Sequence, residues 1–208
     1  MKDLLKRAAE TSSRLVETLG RLEAAIGASD ATEAYTAAGR VNEYANHPVS
    51  AMLCYEAASD QRMPALEAKA RLAIVQLKSS LTDEALSTIR SVVFADTNFT
   101  FASLDGNPIS AMTVLGDVLR AQGVPNALET YAKATEIEPD DRYAVGCYAE
   151  MLVETGHLKD ALALKSRIPE GDDFASLRAT LRLAENDPKL LPALVGVSRS
   201  SGRVAHHA

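Results

Sequence analysis

The chain has no tryptophan and few other aromatics, four Phe and six Tyr in 208 residues. Its interior must therefore be filled by Ala, Leu, Val and Ile, a composition that favours closely packed helices. Runs of Val, Ile and Thr that would read as strands are scarce. The two cysteines, Cys54 and Cys147, form no CxxC or metal-ligand spacing, which excludes a disulfide framework and a zinc cluster. Both sit among apolar helical neighbours and read as buried thiols. No stretch approaches the roughly 20 apolar residues that cross a bilayer. The opening MKDLLKRAAETSSRL carries Asp3 and Glu10 where a signal peptide would be uninterrupted, so the reading is cytoplasmic, and the Asn98-Phe99-Thr100 sequon is taken as chance. The net charge is -6, with acidic and basic residues alternating. A basic patch that would draw nucleic acid by counterion release is missing, and neither nucleic acid nor membrane is expected as a partner.

Also missing is the equipment of an enzyme: a nucleophile beside a base, a metal set, paired carboxylates in a pocket, or a glycine loop for phosphate. His47 and His157 fall at equivalent turns too far apart to share a metal, and His206 and His207 lie in a terminal tail. Glu136-Ile137-Glu138 and Glu170-Gly171-Asp172-Asp173 lack the Asp/Asn ladder of a calcium loop. The expectation is a protein without catalysis, cofactor or metal.

What is present is a repeat. The phrase VLGDVLRAQGVPNALETYAKATEIEPDD at 114–141 is echoed by CYAEMLVETGHLKDALALKSRIPE at 147–170, and the same frame finds SAMLCYEAAS at 50–59 and DEALSTIRSVV at 83–93. The pivotal alanines are Ala51, Ala85, Ala127 and Ala161, spaced by 34, 42 and 34 residues. Four residues after them come Tyr55, Ile89, Tyr131 and Lys165; seven after come Ala58, Val92, Ala134 and Ile168; about twelve before come Gly39, Ala73, Gly116 and Ala149. Small residues recur where helices must approach closely, and large ones fill the space beside them.

On these residues the chain resembles the tetratricopeptide repeat family, a 34-residue helix-turn-helix unit with a proline after its second helix. Pro139 fits that proline; Pro64 is displaced by one residue, Thr97 and Asp173 replace it elsewhere, and Lys165 replaces the aromatic. The resemblance implies an all-α, right-handed α-solenoid with N- and C-terminal capping helices.

The expected layout is an N-terminal helix within 1–28 and a single repeat domain over 29–200. That domain holds pairs at 32–65, 66–99, 109–141 and 142–169 and C-terminal helices within 173–199; a flexible tail covers 201–208. Pro48, Pro64, Pro108, Pro125 and Pro188 fall where helices should begin, because a proline in the first turn forfeits no helical hydrogen bond. Asn107-Pro108 and Asp187-Pro188 read as helix caps, Asp30 with Glu33 as a capping pair, and Pro192 as a late start or kink. The insert TFASLDGNP reads as an ordered loop, since Phe99, Phe101 and Leu104 are costly to leave in water. The N-terminal helix, with Leu5, Ala8, Ser12, Leu15, Leu19, Leu22 and Ile26 at alternating three and four spacing, either caps the first repeat or pairs with a second copy, so that the protein is a monomer or a homodimer.

The resemblance also implies a concave groove lined by the first helix of each pair. Its positions here include Arg40, Glu43 and Tyr44; Ile74, Leu77 and Lys78; Thr113, Asp117 and Arg120; and Tyr143 and Glu150. An apolar middle with polar ends suits an amphipathic helix or extended segment of another protein. The positions where relatives clamp a terminal carboxylate hold Thr36, Arg40, Ala70 and Arg71, so that clamp is incomplete. A scaffold or adaptor is expected, with a client or secretion-type chaperone and a self-assembling regulatory subunit as alternatives. Arg40, Tyr44, Asp117 and Arg120 read as surface residues that no helix crossing requires, and reversing Arg40 and Arg120 should leave stability unchanged.

Overall fold

The computed structural model describes residues 28–60 and 65–186, with side chains from Ala31 onward. The helix expected within 1–28, Pro64, Pro188, Pro192, the final helix and the tail lie outside those residues, apart from the backbone of Ala28. The chain divides into two compact units between Phe99 and Thr100.

The first unit contains α1 (Ala28–Tyr44), α2 (Pro48–Ser59), α3 (Leu66–Lys78) and α4 (Thr82–Ala95). Consecutive helices pack on each other, and α1 also touches α3. Pro48 opens α2 as its first helical residue, with His47 at the cap position. Asp30 already lies within helix α1, which corrects the capping expected there. The core joins Ala31 and Tyr35 of α1, Ala51, Tyr55 and Ala58 of α2, and Ala68, Leu72 and Val75 of α3. Gly39 is there because the Tyr55 ring occupies the space a side chain would need: an added Cβ would lie 2.3 Å from that ring.

In the second unit, β1 (Thr100–Ala102) and β2 (Pro108–Ser110) precede α5 (Ala111–Ala121), α6 (Ala127–Ile137), α7 (Arg142–Glu154) and α8 (Leu158–Ala163). Two short 3-10 turns, Lys165–Arg167 and Asp172–Phe174, lead into α9 (Ala175–Asn186). The insert is therefore a small antiparallel hairpin, with Phe101 opposite Ile109 and both buried. Alternation turns these two side chains inward, and Asp105-Gly106 supplies the turn, where Gly106 takes φ 81°. Pro108 lies in β2 instead of opening a helix, and Ser110 caps α5 by accepting from the Met112 amide at 3.2 Å. Asp141 caps α7 through the Ala144 amide and also accepts from the Thr113 hydroxyl at 2.6 Å and the Ser110 amide, tying the starts of α5 and α7 together.

All four helix pairs turn in one way. Asn46, Ser80, Gly123 and Gly156 take positive φ, and the following amide reaches back to a carbonyl five residues earlier: His47 to Asn42, Leu81 to Gln76, Val124 to Leu119 and His157 to Leu152. This is the Schellman stop, which satisfies carbonyls a helix end would orphan. Gly123 and Gly156 accept that conformation without strain, and Asn46 tolerates it.

The last pair is the most altered. Helix α8 ends at Ala163, so Lys165 stands in a 3-10 turn where the other pairs carry Tyr55, Ile89 and Tyr131 on a helix. An aromatic ring reaches this pair from outside the repeat: Phe174 lies against Gly146 and meets Tyr143 edge-on, with centroids 5.8 Å apart. Leu177, Leu181 and Ala184 then bury one face of α9.

Both cysteines are free and buried, one in each unit. Burial pushes the Cys54 thiol up to about 11 and the Cys147 thiol well above its ordinary value. Titration of the unreduced, denatured protein is expected to count two thiols, while the native protein reacts slowly with a thiol reagent. A species with no titratable thiol would contradict this register.

Candidate functional site

The first helices of neighbouring pairs are joined by charge. In the first unit, Glu43 of α1 accepts from the Tyr55 hydroxyl at 2.8 Å and from Arg71 of α3 at 3.3 Å, and its other oxygen lies 3.7 Å from Lys78. Arg71 also donates to Glu67 at 2.8 Å, and Arg40 of α1 reaches the same Glu67. The Arg71 side chain is almost fully buried. Burial works against its charge, but the hydrogen bond to Glu67 and the charges of Tyr55, Glu43 and Glu67 hold its pKa above the ordinary arginine value. For Lys78 burial wins over the attraction of Glu43, and its pKa is lowered.

In the second unit, Arg120 of α5 donates to Glu150 at 2.8 Å and Glu154 at 2.7 Å on α7. Asp117 is buried and accepts from the Tyr131 hydroxyl at 2.5 Å. Burial, then the Asp117 charge, pushes Tyr131 and Tyr143 well above the ordinary tyrosine value. Burial dominates at Cys147 too, so its thiol stays protonated and unreactive at neutral pH. Among the described residues, no group of three or more His, Cys, Asp or Glu could hold a metal ion.

These contacts correct part of the surface reading. Asp117 and Arg120 both bridge helices, so neither is a spare surface group, and reversing Arg120 is a stability change. Ile74, Leu77, Thr113 and Glu150 are buried. Lys78, Tyr143, Arg120 and Glu43 are partly covered, with Glu43 held almost wholly inside its ion pairs. Arg40 and Tyr44 stand exposed on one stripe of α1 that also carries Glu33, Ala37 and Val41. Arg71, one of the clamp positions, belongs to the first unit's network together with Glu67 and Tyr55, which the repeat register does not place among the groove residues. The i,i+4 spacing of Glu67 and Arg71 on one helix is the sequence signal that points to them.

No family model matches the sequence, and no curated protein matches it. A solved structure does: YrrB, described as a TPR protein with an unusual peptide-binding site, superposes with a TM-score of 0.54 over 79% of this chain and 82% of its own, at 18% identity. The fold is tetratricopeptide-like. Each unit stacks two helix pairs of that type, α1/α2 on α3/α4 and α5/α6 on α7/α8. No helix among the described residues is long and apolar enough to cross a membrane.

Proposed function

We propose that the chain is a non-catalytic protein-interaction module, an adaptor whose first-helix faces hold a segment of another protein. The observation that carries this reading is the exposed stripe of α1. Val41 and Tyr44 are 69% and 78% exposed on a helix whose opposite face is core. Arg40 stands beside them. Two apolar anchors next to a charged group suit an amphipathic helix or an extended segment, since anchors supply affinity and the charge sets register. The peptide-binding site described for YrrB supports the same class of activity.

The test is to pan a displayed peptide library against the purified chain and measure the selected peptides on variants. Tyr44→Ala and Val41→Ser are expected to weaken binding at least tenfold, about 1.4 kcal/mol. Their melting should change by no more than about 0.5 kcal/mol, as for surface positions generally. Selected peptides that bind both variants as well as the parent, or a library that yields no ligand, would overturn the groove reading. Suppressed aggregation of an unrelated protein would favour the chaperone alternative.

A further inference from the structure

A second candidate surface lies wholly inside the second unit, apart from the exposed stripe of α1 in the first. A cleft of about 420 Å³ opens between the Pro139–Asp140 turn, the 3-10 turn at Lys165–Arg167 and the start of α9. That size falls in the range of ligand pockets, about 300 to 1,000 Å³. Five of its lining side chains are cationic, against the two carboxylates Asp140 and Glu170. The chain as a whole carries -6, so this concentration of positive charge runs against its composition.

The cations are placed at some cost. Arg178 and Arg182 stand one turn apart on α9, and like charges at i,i+4 repel. Arg142 is the first residue of α7, where the positive end of the helix dipole disfavours a cation. Arg167 donates to the Pro139 carbonyl at 2.9 Å, and Arg178 donates to the carbonyls of Pro169 and Glu170. These neutral acceptors fix the two guanidiniums without cancelling their charge, and each keeps further N–H donors free of those bonds. Lys165 pairs with Glu185. Among the described residues, none of the four arginines is paired with a carboxylate.

We propose that this cleft docks a short acidic peptide segment, whose carboxylates would relieve the repulsion between Arg178 and Arg182 and the misplaced charge of Arg142. A peptide fits better than a nucleic acid or a lipid surface. The positive charge is confined to one concavity, and an extended array of phosphates would meet the acidic remainder of the chain. Val145 and Ile168, both buried at the floor, add an apolar lining that a peptide side chain can use.

The experiment is fluorescence anisotropy with labelled hexaglutamate on the full chain, beside hexaglutamine, a short DNA duplex and inorganic phosphate as competitors. Hexaglutamate is expected to bind, with an affinity that falls as salt rises, and hexaglutamine is not. R142Q/R182Q should weaken binding at least tenfold, and its melting temperature should stay level or rise, because unfavourable charges are removed. Arg90→Gln, at an exposed position of α4 in the other unit, should leave hexaglutamate binding unchanged. Absence of hexaglutamate binding, or binding that survives R142Q/R182Q, would overturn the proposal. So would duplex DNA or phosphate displacing hexaglutamate at equal or lower charge concentration, which would mark a general anion site. The Tyr44 and Val41 variants do not touch this cleft, so failure here and failure of the groove reading are separable.

Discussion

Gly39→Ala is expected to destabilise the first unit by about 2 kcal/mol, although alanine is the better helix former. The propensity term alone would favour the change by about 1 kcal/mol. Packing opposes it. The new Cβ would sit 2.3, 2.6 and 2.8 Å from three atoms of the Tyr55 ring. That ring cannot swing aside cheaply, because it is fully buried and its hydroxyl is bonded to Glu43, which in turn holds Arg71. Overpacking of this kind costs about 1 to 3 kcal/mol, occasionally more. Tyr55→Leu removes the ring atoms that clash, so G39A/Y55L should lose clearly less than the sum of the two single changes, as coupling between touching residues requires. Gly116→Ala should behave alike against Tyr131, where the nearest approach is 2.7 Å. Urea melts of the three first-unit variants make the measurement. A neutral or stabilising G39A, or strict additivity in the double variant, would show that the glycine is not kept for the ring.

These glycines are legible in the sequence because a repeat writes the same packing solution more than once. Tyr55 and Tyr131 both stand four residues after Ala51 and Ala127, Gly39 and Gly116 stand twelve and eleven before them, and a small residue near that offset says that a large one leans over it. The helix bounds are legible for a related reason, since each pair ends its first helix at one recurrent turn. Departures from the repeat are not. Asn107-Pro108 has the form of a helix start, yet the pull of Phe101 and Ile109 toward the core extends this stretch as a strand. Phe174 covers Gly146 from outside the repeat, where no offset points to it. The charge pairs are the least legible part. The register assigns Arg40, Glu43 and Arg120 to first helices, but it does not tell whether such a group meets solvent or a partner on the next helix. Asp117 has the offset of a groove residue and is instead the buried acceptor for Tyr131.

Arg120→Glu is expected to cost about 3 kcal/mol or more, and a further pair of changes is expected to restore much of it. Arg120 is the shared partner of Glu150 and Glu154, and Glu150 is largely buried. Removing one member of a buried ion pair leaves an uncompensated charge, typically a loss of about 3 to 5 kcal/mol, the largest single effect available here. Reversal adds a third carboxylate to the two already present. The first unit shows how the same helix crossing accommodates a glutamate. Glu43 stands four residues after Gly39 as Arg120 does after Gly116, and Lys78 and Ile74 stand seven and eleven residues before Ala85 as Glu154 and Glu150 do before Ala161. The signs are inverted: Glu43 faces Lys78, whereas Arg120 faces Glu154. R120E/E150I/E154K therefore transplants the Glu43–Lys78 pair of the first unit, though not the Arg71 that also holds Glu43 there, with an apolar residue where the second carboxylate stood. Unfolding in urea should show a large loss for R120E, a similar loss for R120E/E150I, and recovery on adding E154K. If the triple variant is as unstable as the losses of its parts combined, the two crossings are not equivalent. If R120E alone costs under about 1 kcal/mol, the range of an exposed pair, the Arg120 bridge is a surface contact and the electrostatic tie between α5 and α7 is refuted.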